Sequence, residues 1–424
     1  MASNQVYKYF LVCLLALPFW AKSQIYSDPV FNIPFDSADK AKTLEIGAVY
    51  NLGSDAITNK LFNTVVNSSF IGDDAKNSVL PYLKSTNNSA GGYANGNIFY
   101  CWIPEGREEH FFINLSSRIQ YSVLFSRDAY KLVAFGNSQF AGQTADVSGL
   151  KFSHYAYQSL QFGFYTFKKK MDKSLLFYGG GLALVSGSGY NNLFISKGSL
   201  YTSPTGDSLS LNANVSSKSV NSANMISDVN GLGASINGFV GIRFPVKDEL
   251  RFQIADLGFV DWFKNTGSFN INRQFNYTGE KVSIINGKAS YTNYYLTLDT
   301  IATQAGHPPV GGNFVSGLPF QIRVNYTKYL GSDLSLSGGI EYINDNMKIP
   351  ELDISAKKYL TNNKLALCVG VSLFGYSNYG ITAGIEYKLR NRFLIMLGTQ
   401  HLEGVIPDYG ILGQGYFANL KLTL

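Results

Sequence analysis

Long apolar runs are scarce in this sequence. Beyond residue 23 no stretch of about 18 apolar residues occurs, so no transmembrane helix is expected. Charge is scarce too, at 15% of residues, which is little for a soluble protein that must carry charge on its surface. A net charge of +6, part of it from Lys8 and Lys22, is too mild to argue for a nucleic-acid partner. Cysteine is limited to Cys13, Cys101 and Cys368, and no CxxC or HExxH spacing appears, so neither a metal nor another cofactor is expected. The four histidines, His110, His154, His307 and His401, are scattered, with no GxSxG and no paired carboxylates to make a catalytic set. No enzyme is read here. The glycine-rich GGGLALVSGSG is not a phosphate loop, because no GK[ST] follows and its rhythm is that of a strand.

What is abundant points elsewhere. The chain carries 30 Phe, 28 Tyr and 42 Gly. That mixture suits a protein whose exterior meets lipid and whose strands curve around a closed barrel. At the start, Lys8 is followed by an apolar run from Tyr9 to Trp20 and then by Ala21-Lys22-Ser23, the layout of a secretory signal peptide over residues 1–23. The run is too short to span about 30 Å of hydrocarbon as a helix. Residues 24–42 are then expected as a short periplasmic segment, and 43–424 as a single barrel. Cys101 and Cys368 sit in expected strands; packing as small hydrophobes is the simpler reading, and a disulfide in an oxidising compartment is the alternative.

Alternation of polarity supports the strands. TLEIGAVYNL (43–52) sets Leu44, Ile46, Ala48 and Tyr50 against Glu45, Gly47 and Asn51. FINLSSRIQYSV (112–123), LGASINGFVGIRF (232–244) and LPFQIRVNYTKY (318–329) alternate likewise. Short polar joints at 104–110, 168–173, 245–249, 330–333, 361–364 and 389–392 separate longer segments at 53–96, 126–151, 187–230, 256–317, 344–350, 375–378 and 402–413. Six short joints and seven loops give an all-β, antiparallel transmembrane barrel of about 14 strands, with 12 to 16 allowed by the strand ends. The final stretch, GYFANLKLTL (415–424), alternates as well, and is expected to close the barrel by pairing with the first strand. Tyr416, Leu420, Leu422 and Leu424 form its apolar face, which looks like the signal read by the outer-membrane insertion machinery. A secreted β-sandwich also alternates, but low charge and the short/long loop rhythm favour the barrel.

The polar faces supply the candidate lumen: Glu45, Arg118, Gln120, Arg243, Arg251, Gln253, Arg323, Glu341 and Glu386. Such charges either tune selectivity in an open channel or pair across the interior and fill it. Segment 53–96 is too long for a bare loop and holds Leu61, Val65, Val66, Phe70, Val79, Leu80 and Leu83. It is expected to fold as short helical pieces that plug or cap the mouth. Within 256–317, the stretch ADLGFVDWFKN offers Trp262 and Phe263 to an aromatic girdle. Asp256 and Asp261 are either candidates for a ligand or partner role or ordinary loop carboxylates, and FNINRQFNYTGEKVSII is expected to form a hairpin turning at Thr278-Gly279.

Several segments, in order, resemble a family of Bacteroidota outer-membrane proteins known only as a domain of unknown function: VVNSSF (65–70), FGNSQFAGQ (135–143), GGGLALVSG (179–187), ADLGFVDW (255–262), FNYTGE (275–280), SGLPFQIRVNYTKYL (316–330) and LGTQHLEG (397–404). The resemblance implies a barrel similar to the 14-stranded fatty-acid transporters and brings no catalytic residues. Those transporters carry an N-terminal hatch, for which Gln24 to Lys42 leaves little chain. Two functions follow as expectations. One is a channel or transporter for small or hydrophobic solutes; the other is a structural or assembly component of an envelope or secretion complex with an occluded lumen. The partners expected are outer-membrane lipid and lipopolysaccharide, the insertion machinery and a small-molecule solute, in the bacterial cell outer membrane.

Overall fold

In the computed structural model, residues 42–424 are described, apart from 68–69, 172, 223, 225–226, 247, 278–282, 286–287, 291–302, 304–307, 347–348, 361–363, 390–391 and 406–409. Residues 1–23, expected as a signal peptide, and nearly all of 24–42 lie outside these residues, as does the turn expected at Thr278-Gly279.

The strands are β1 (Thr43–Thr58), β2 (Asn88–Trp102), β3 (His110–Phe125), β4 (Thr144–Asp146), β5 (Leu150–Lys169), β6 (Leu175–Thr202) and β7 (Leu209–Val220). They continue as β8 (Gly231–Arg243), β9 (Glu249–Trp262), β10 (Thr266–Tyr277), β11 (Ser283–Ile285), β12 (Lys288–Ser290), β13 (Phe314–Gly317) and β14 (Gln321–Leu330). The last are β15 (Leu334–Ile343), β16 (Glu351–Leu360), β17 (Leu365–Leu373), β18 (Tyr379–Leu389), β19 (Phe393–Thr399) and β20 (Ile411–Thr423). Among the described residues, the short helices α1 (Asn59–Asn67), α2 (Asp73–Asn77) and α3 (Arg127–Phe135) lie in loops at one end.

Following the hydrogen bonds from β1 to β2, β3, β5, β6, β8 and β9, then to β14 and on through β15–β19 to β20, the path returns to β1. The result is a closed antiparallel barrel of 14 strands. Glu45 opposite Lys421 and Ile46 opposite Leu420 belong to the closing seam. β13 extends the position of β14 along the outer part of β9, with Leu318-Pro319-Phe320 between them. The six short joints all fall at one end, where β1 begins and β20 finishes, and the long connections fall at the other.

Side chains sort by face. One outward row runs Tyr387, Ile395, Leu420, Ile46, Ile98, Leu115, Leu160 and Leu184, each the register partner of the next, across eight strands. Every member is exposed. All 14 wall strands contribute at least one exposed large apolar side chain, so the greasy band is unbroken around the cylinder. In water such a band would be a large exposed apolar patch; around a barrel it is the surface that lipid covers.

Parts of the segments read as loops are strand instead. Gly53–Thr58 and Asn88–Gly96 extend β1 and β2, because Gly53, Ser54, Ala90 and Gly91 pair across them. Their small and polar side chains carry no amphipathic signal. β6 does not end near 187 but runs on to Thr202, pairing with β7, which pairs with β10. β10 thus finds its partner in β7 rather than in the segment that follows it. β9 holds Asp256 to Trp262, so these are wall and not loop. The loop helices have readable causes: the Ser126 hydroxyl accepts from the Ala129 N–H at 3.0 Å to cap α3, and Gly136 at φ 82° ends it. Leu61, Val79 and Leu83 pack with Tyr130, Val215, Phe269 and Ile271, forming a cap at the loop end.

Candidate functional site

The wall encloses a polar interior, and its lining has a layered order. Nearest the short-turn end of β2, β3, β5, β6 and β8, aromatic rings face inward: Phe99, Phe112, Tyr165, Phe177 and Phe239 form one buried cluster with Cys101. They lie flat because glycines stand beside them. A Cβ on Gly163 would sit 2.2 Å from Phe112 Cζ, and one on Gly241 would sit 1.8 Å from Phe177 Cε1. The rings occupy the space that a neighbouring side chain would take, so the glycines are steric requirements of this floor.

Above the floor runs a polar row. Asn114, Gln161, Ala183 and Ser235 are successive register partners on β3, β5, β6 and β8. Next comes a Ser116–Ser159 hydroxyl pair at 2.7 Å. Above that, Arg118 Nη1 meets Asp256 Oδ2 at 2.6 Å, and the Tyr157 hydroxyl donates to the same oxygen at 2.9 Å. β3 and β9 are not neighbours in the wall, so this pair bridges the interior.

A β-bulge makes the bridge. The β8–β9 register shifts between Ile236 and Gly238, leaving two residues of β9 opposite Asn237. Asp256 takes the left-handed conformation there, at φ 55°, and its N–H donates to Asn237 Oδ1 at 2.5 Å. Asp and Asn tolerate that region better than most residues. The extra residue reverses the inward parity of β9, turning Asp256, Val260 and Trp262 to the interior. Trp262 therefore does not join an outer girdle; it is buried, its ring lies 2.5 Å from where a Gly187 Cβ would be, and its indole N–H donates to Ser316 Oγ at 2.9 Å. Phe263 and Asp261 are exposed.

Of the polar residues expected in the lumen, Glu45, Arg118, Gln120, Gln253, Glu341 and Glu386 are buried and Arg243, Arg251 and Arg323 half-buried, in separate groups. Arg243 and Arg251 both pair with Glu249, at 2.7 Å and 3.1 Å. Arg323 meets Glu341 and Asp353, each at 3.4 Å, and Gln321 donates to Glu341 at 2.7 Å. Glu386 is held by Lys357, and Glu45 accepts from Asn419 at 2.6 Å. Gln253 is buried between β8 and β14. Gln120 reaches across to Asp345 of the β15–β16 loop at 2.8 Å, and Asp345 also binds the Tyr376 hydroxyl. Tyr416, Leu420 and Leu424 are exposed and Leu422 half-buried on the outer side of the closing strand. Glu249, Asp345, Asp353 and Tyr157 were not singled out in the sequence, and Asp256 was singled out as a loop residue rather than as part of the lumen. Glu249 and Asp353 carried the alternation that would have found them, whereas Asp345 is in a loop and Asp256 at the bulge.

At the loop end, Lys84 and the Ser89 N–H both bind Asp55, at 2.9 Å and 2.6 Å. The Tyr130 hydroxyl donates to the Lys76 carbonyl at 2.7 Å, tying α3 to the segment between β1 and β2. His401 bridges Glu403 at 2.7 Å and Asn51 Oδ1 at 3.1 Å, fastening the β19–β20 loop to β1. Cys101 and Cys368 are both free and buried, so no disulfide joins them. Among the described residues no group of three or more His, Cys, Asp and Glu side chains is placed to hold a metal.

A family model described as "Family of unknown function (DUF5723)" matches residues 45–399. No curated protein matches the chain. Among solved structures, a deltaS2S3 mutant of the TodX monoaromatic hydrocarbon channel is similar at 11% identity and a TM-score of 0.47, covering 95% of each chain. The Ralstonia pickettii toluene transporter TbuX is similar at 10% identity and a TM-score of 0.42, over 91% of this chain and 89% of that one. A Pseudomonas aeruginosa FadL homologue is similar at 12% identity and a TM-score of 0.40, over 95% of each.

Proposed function

Since the chain belongs to the family described as "Family of unknown function (DUF5723)", we propose its function from its own geometry: a bacterial outer-membrane channel for small, mainly apolar solutes, resting in an occluded state. One observation carries this reading. The barrel is apolar outside, as lipid requires, yet on β2, β3, β5, β6 and β8 it also lines the short-turn end of its interior with Phe99, Phe112, Tyr165, Phe177 and Phe239. A pore for water and ions gains nothing from an aromatic lining, whereas a path for apolar solutes needs one. The short turns face the periplasm and the capped end faces outward.

The occlusion follows from the Arg118–Asp256 bridge, the Gln120–Asp345 contact and the packed cap. Conduction requires these to part and re-form. Expressing the full chain in a Gram-negative host tests the reading. Entry of the apolar dye N-phenyl-1-naphthylamine speeds up several-fold over cells making no barrel, while swelling of proteoliposomes in sugar solution does not change. Dye entry at the control rate rules the channel out, and rapid sugar swelling replaces it with an open porin.

A further inference from the structure

Three polar atoms in one row of the wall stand out: Asn114 Oδ1, Gln161 Nε2 and Ser235 Oγ are each buried and have no hydrogen-bond partner among the described residues. Their residues are no more than 2% exposed. Buried polar groups are almost always paired, and here three unpaired ones share a register row, Asn114–Gln161–Ala183–Ser235, with strands about 4.8 Å apart. The row is built to project. Gln161 extends its amide over β6 at Gly181, where a Cβ would lie 2.6 Å from Nε2, and Ala183 keeps the middle of the row shallow.

We propose that this row is the selectivity station of the channel, and that it takes a neutral, hydroxyl-bearing aromatic solute; the proposal rests on the channel reading above. The chemistry selects a hydroxyl. Asn114 Oδ1 is an acceptor and Gln161 Nε2 a donor on the facing residue of the next strand, and a hydroxyl both donates and accepts. Ser235 Oγ, two strands further on, serves a second polar group. The charges nearby are already matched, Arg118 by Asp256, so nothing in the row favours an ion over a neutral solute. The ring of the solute lies on the aromatic floor one layer below, where Phe112 precedes Asn114 on the same face of β3.

The test uses the full chain in lipid nanodiscs, titrated calorimetrically with 4-ethylphenol and with ethylbenzene, after subtraction of empty discs. The wild type is expected to prefer 4-ethylphenol about tenfold. In N114L/Q161L the preference vanishes while ethylbenzene still binds; S235A, a smaller change, leaves the preference largely in place. F239L weakens both probes alike. Heat-modifiable mobility on gels establishes that each variant is folded. Equal binding of the two probes by the wild type, or a preference that survives N114L/Q161L, overturns the row and leaves the channel reading standing. If neither probe binds, the row falls and the aromatic-lined channel loses its basis with it.

Discussion

Arg118 and Asp256 belong to strands with three others between them in the wall, and their side chains still meet at 2.6 Å inside the barrel. The contact exists because one extra residue in β9 turns the carboxylate inward, and Tyr157 completes the oxygen's surroundings. Both ionic partners are buried, so the pair contributes specificity of closure more than net stability. D256N separates charge from backbone, since Asn accepts the same left-handed conformation. It leaves the Arg118 guanidinium without its carboxylate and is expected to cost about 3 kcal/mol in urea unfolding of the bilayer-inserted barrel. Planar-bilayer recordings are expected to show opening bursts in D256N that the wild type lacks. R118M/D256N, which removes the stranded cation, recovers most of the stability and stays leaky.

The glycines beneath aromatic rings make a second prediction. G241A places a methyl 1.8 Å from Phe177 Cε1 and 2.9 Å from the Leu250 carbonyl oxygen, so the ring must move. Overpacking of this kind costs about 1–3 kcal/mol. In an F177A background the same glycine change costs less, and the double-mutant cycle measures the coupling directly. If the G241A penalty is the same with and without the ring, the steric account of this glycine is wrong.

How much of this was legible beforehand depends on what reports a residue's direction. The six short joints and the closure of β20 on β1 were readable, because alternation and polar turns state them locally. The polar alternation that carries Arg118, Arg323 and Glu341 was readable for the same reason. Trp262 was misplaced because a bulge six or seven residues earlier reverses the parity, and nothing in ADLGFVDW announces a bulge. Helix α3 did leave a trace: SRDAYKLVAFG holds an N-cap serine and a terminal glycine within a segment read as loop. The abundance of Phe, Tyr and Gly was readable as a barrel's composition, but not its division. Phe112, Phe177 and Phe417 lie inside against glycines, and only register shows which ring meets which glycine.

The outward row predicts a sign change between adjacent residues. Leu160 is exposed on the apolar band and Gln161, next to it, is buried in the lumen. L160R puts a guanidinium into hydrocarbon and is expected to cost about 2–4 kcal/mol near the bilayer midplane. N212R, on an exposed position of β7 beyond the wall, is expected to change stability by no more than about 0.5 kcal/mol. Urea titration of folding into lipid vesicles measures both. Equal costs at the two positions sink the assignment of the band to lipid.

Tyr130 gives the cap a pH limit. Burial pushes its phenol above the ordinary value of 10.0, and its hydroxyl donates to the Lys76 carbonyl. The neutral form is therefore the one that the packed cap accepts. Below pH 10 the free and packed phenols are both neutral, and the cap is unaffected; as pH rises through 10 the unpacked phenol ionises and cap docking weakens. Y130F loses the hydrogen bond, at a cost of about 1 kcal/mol, and also loses this alkaline weakening. Limited proteolysis of the loop end between pH 8 and 11 reads the difference.

The cap itself decides whether occlusion is set at the mouth or only in the lumen. Because Gly53–Thr58 and Asn88–Gly96 are wall strands, a useful deletion must spare them; removing residues 55–90 would cut the ladder between Ser54 and Ala90. Replacing residues 60–83 by a short Gly/Ser linker keeps both strands and the Asp55–Lys84 contact. It removes α1, α2 and the apolar side chains Leu61, Val79 and Leu83 that pack against α3 and the β7–β10 sheet. The barrel is expected to assemble, since none of the 14-strand ladder is lost. If the segment is a plug, dye entry into cells rises several-fold and rises again when the replacement is combined with D256N, because the two barriers lie in series along one path. If dye entry is unchanged, the segment is a cover with no part in gating, and the Arg118–Asp256 bridge is the barrier that sets the resting state.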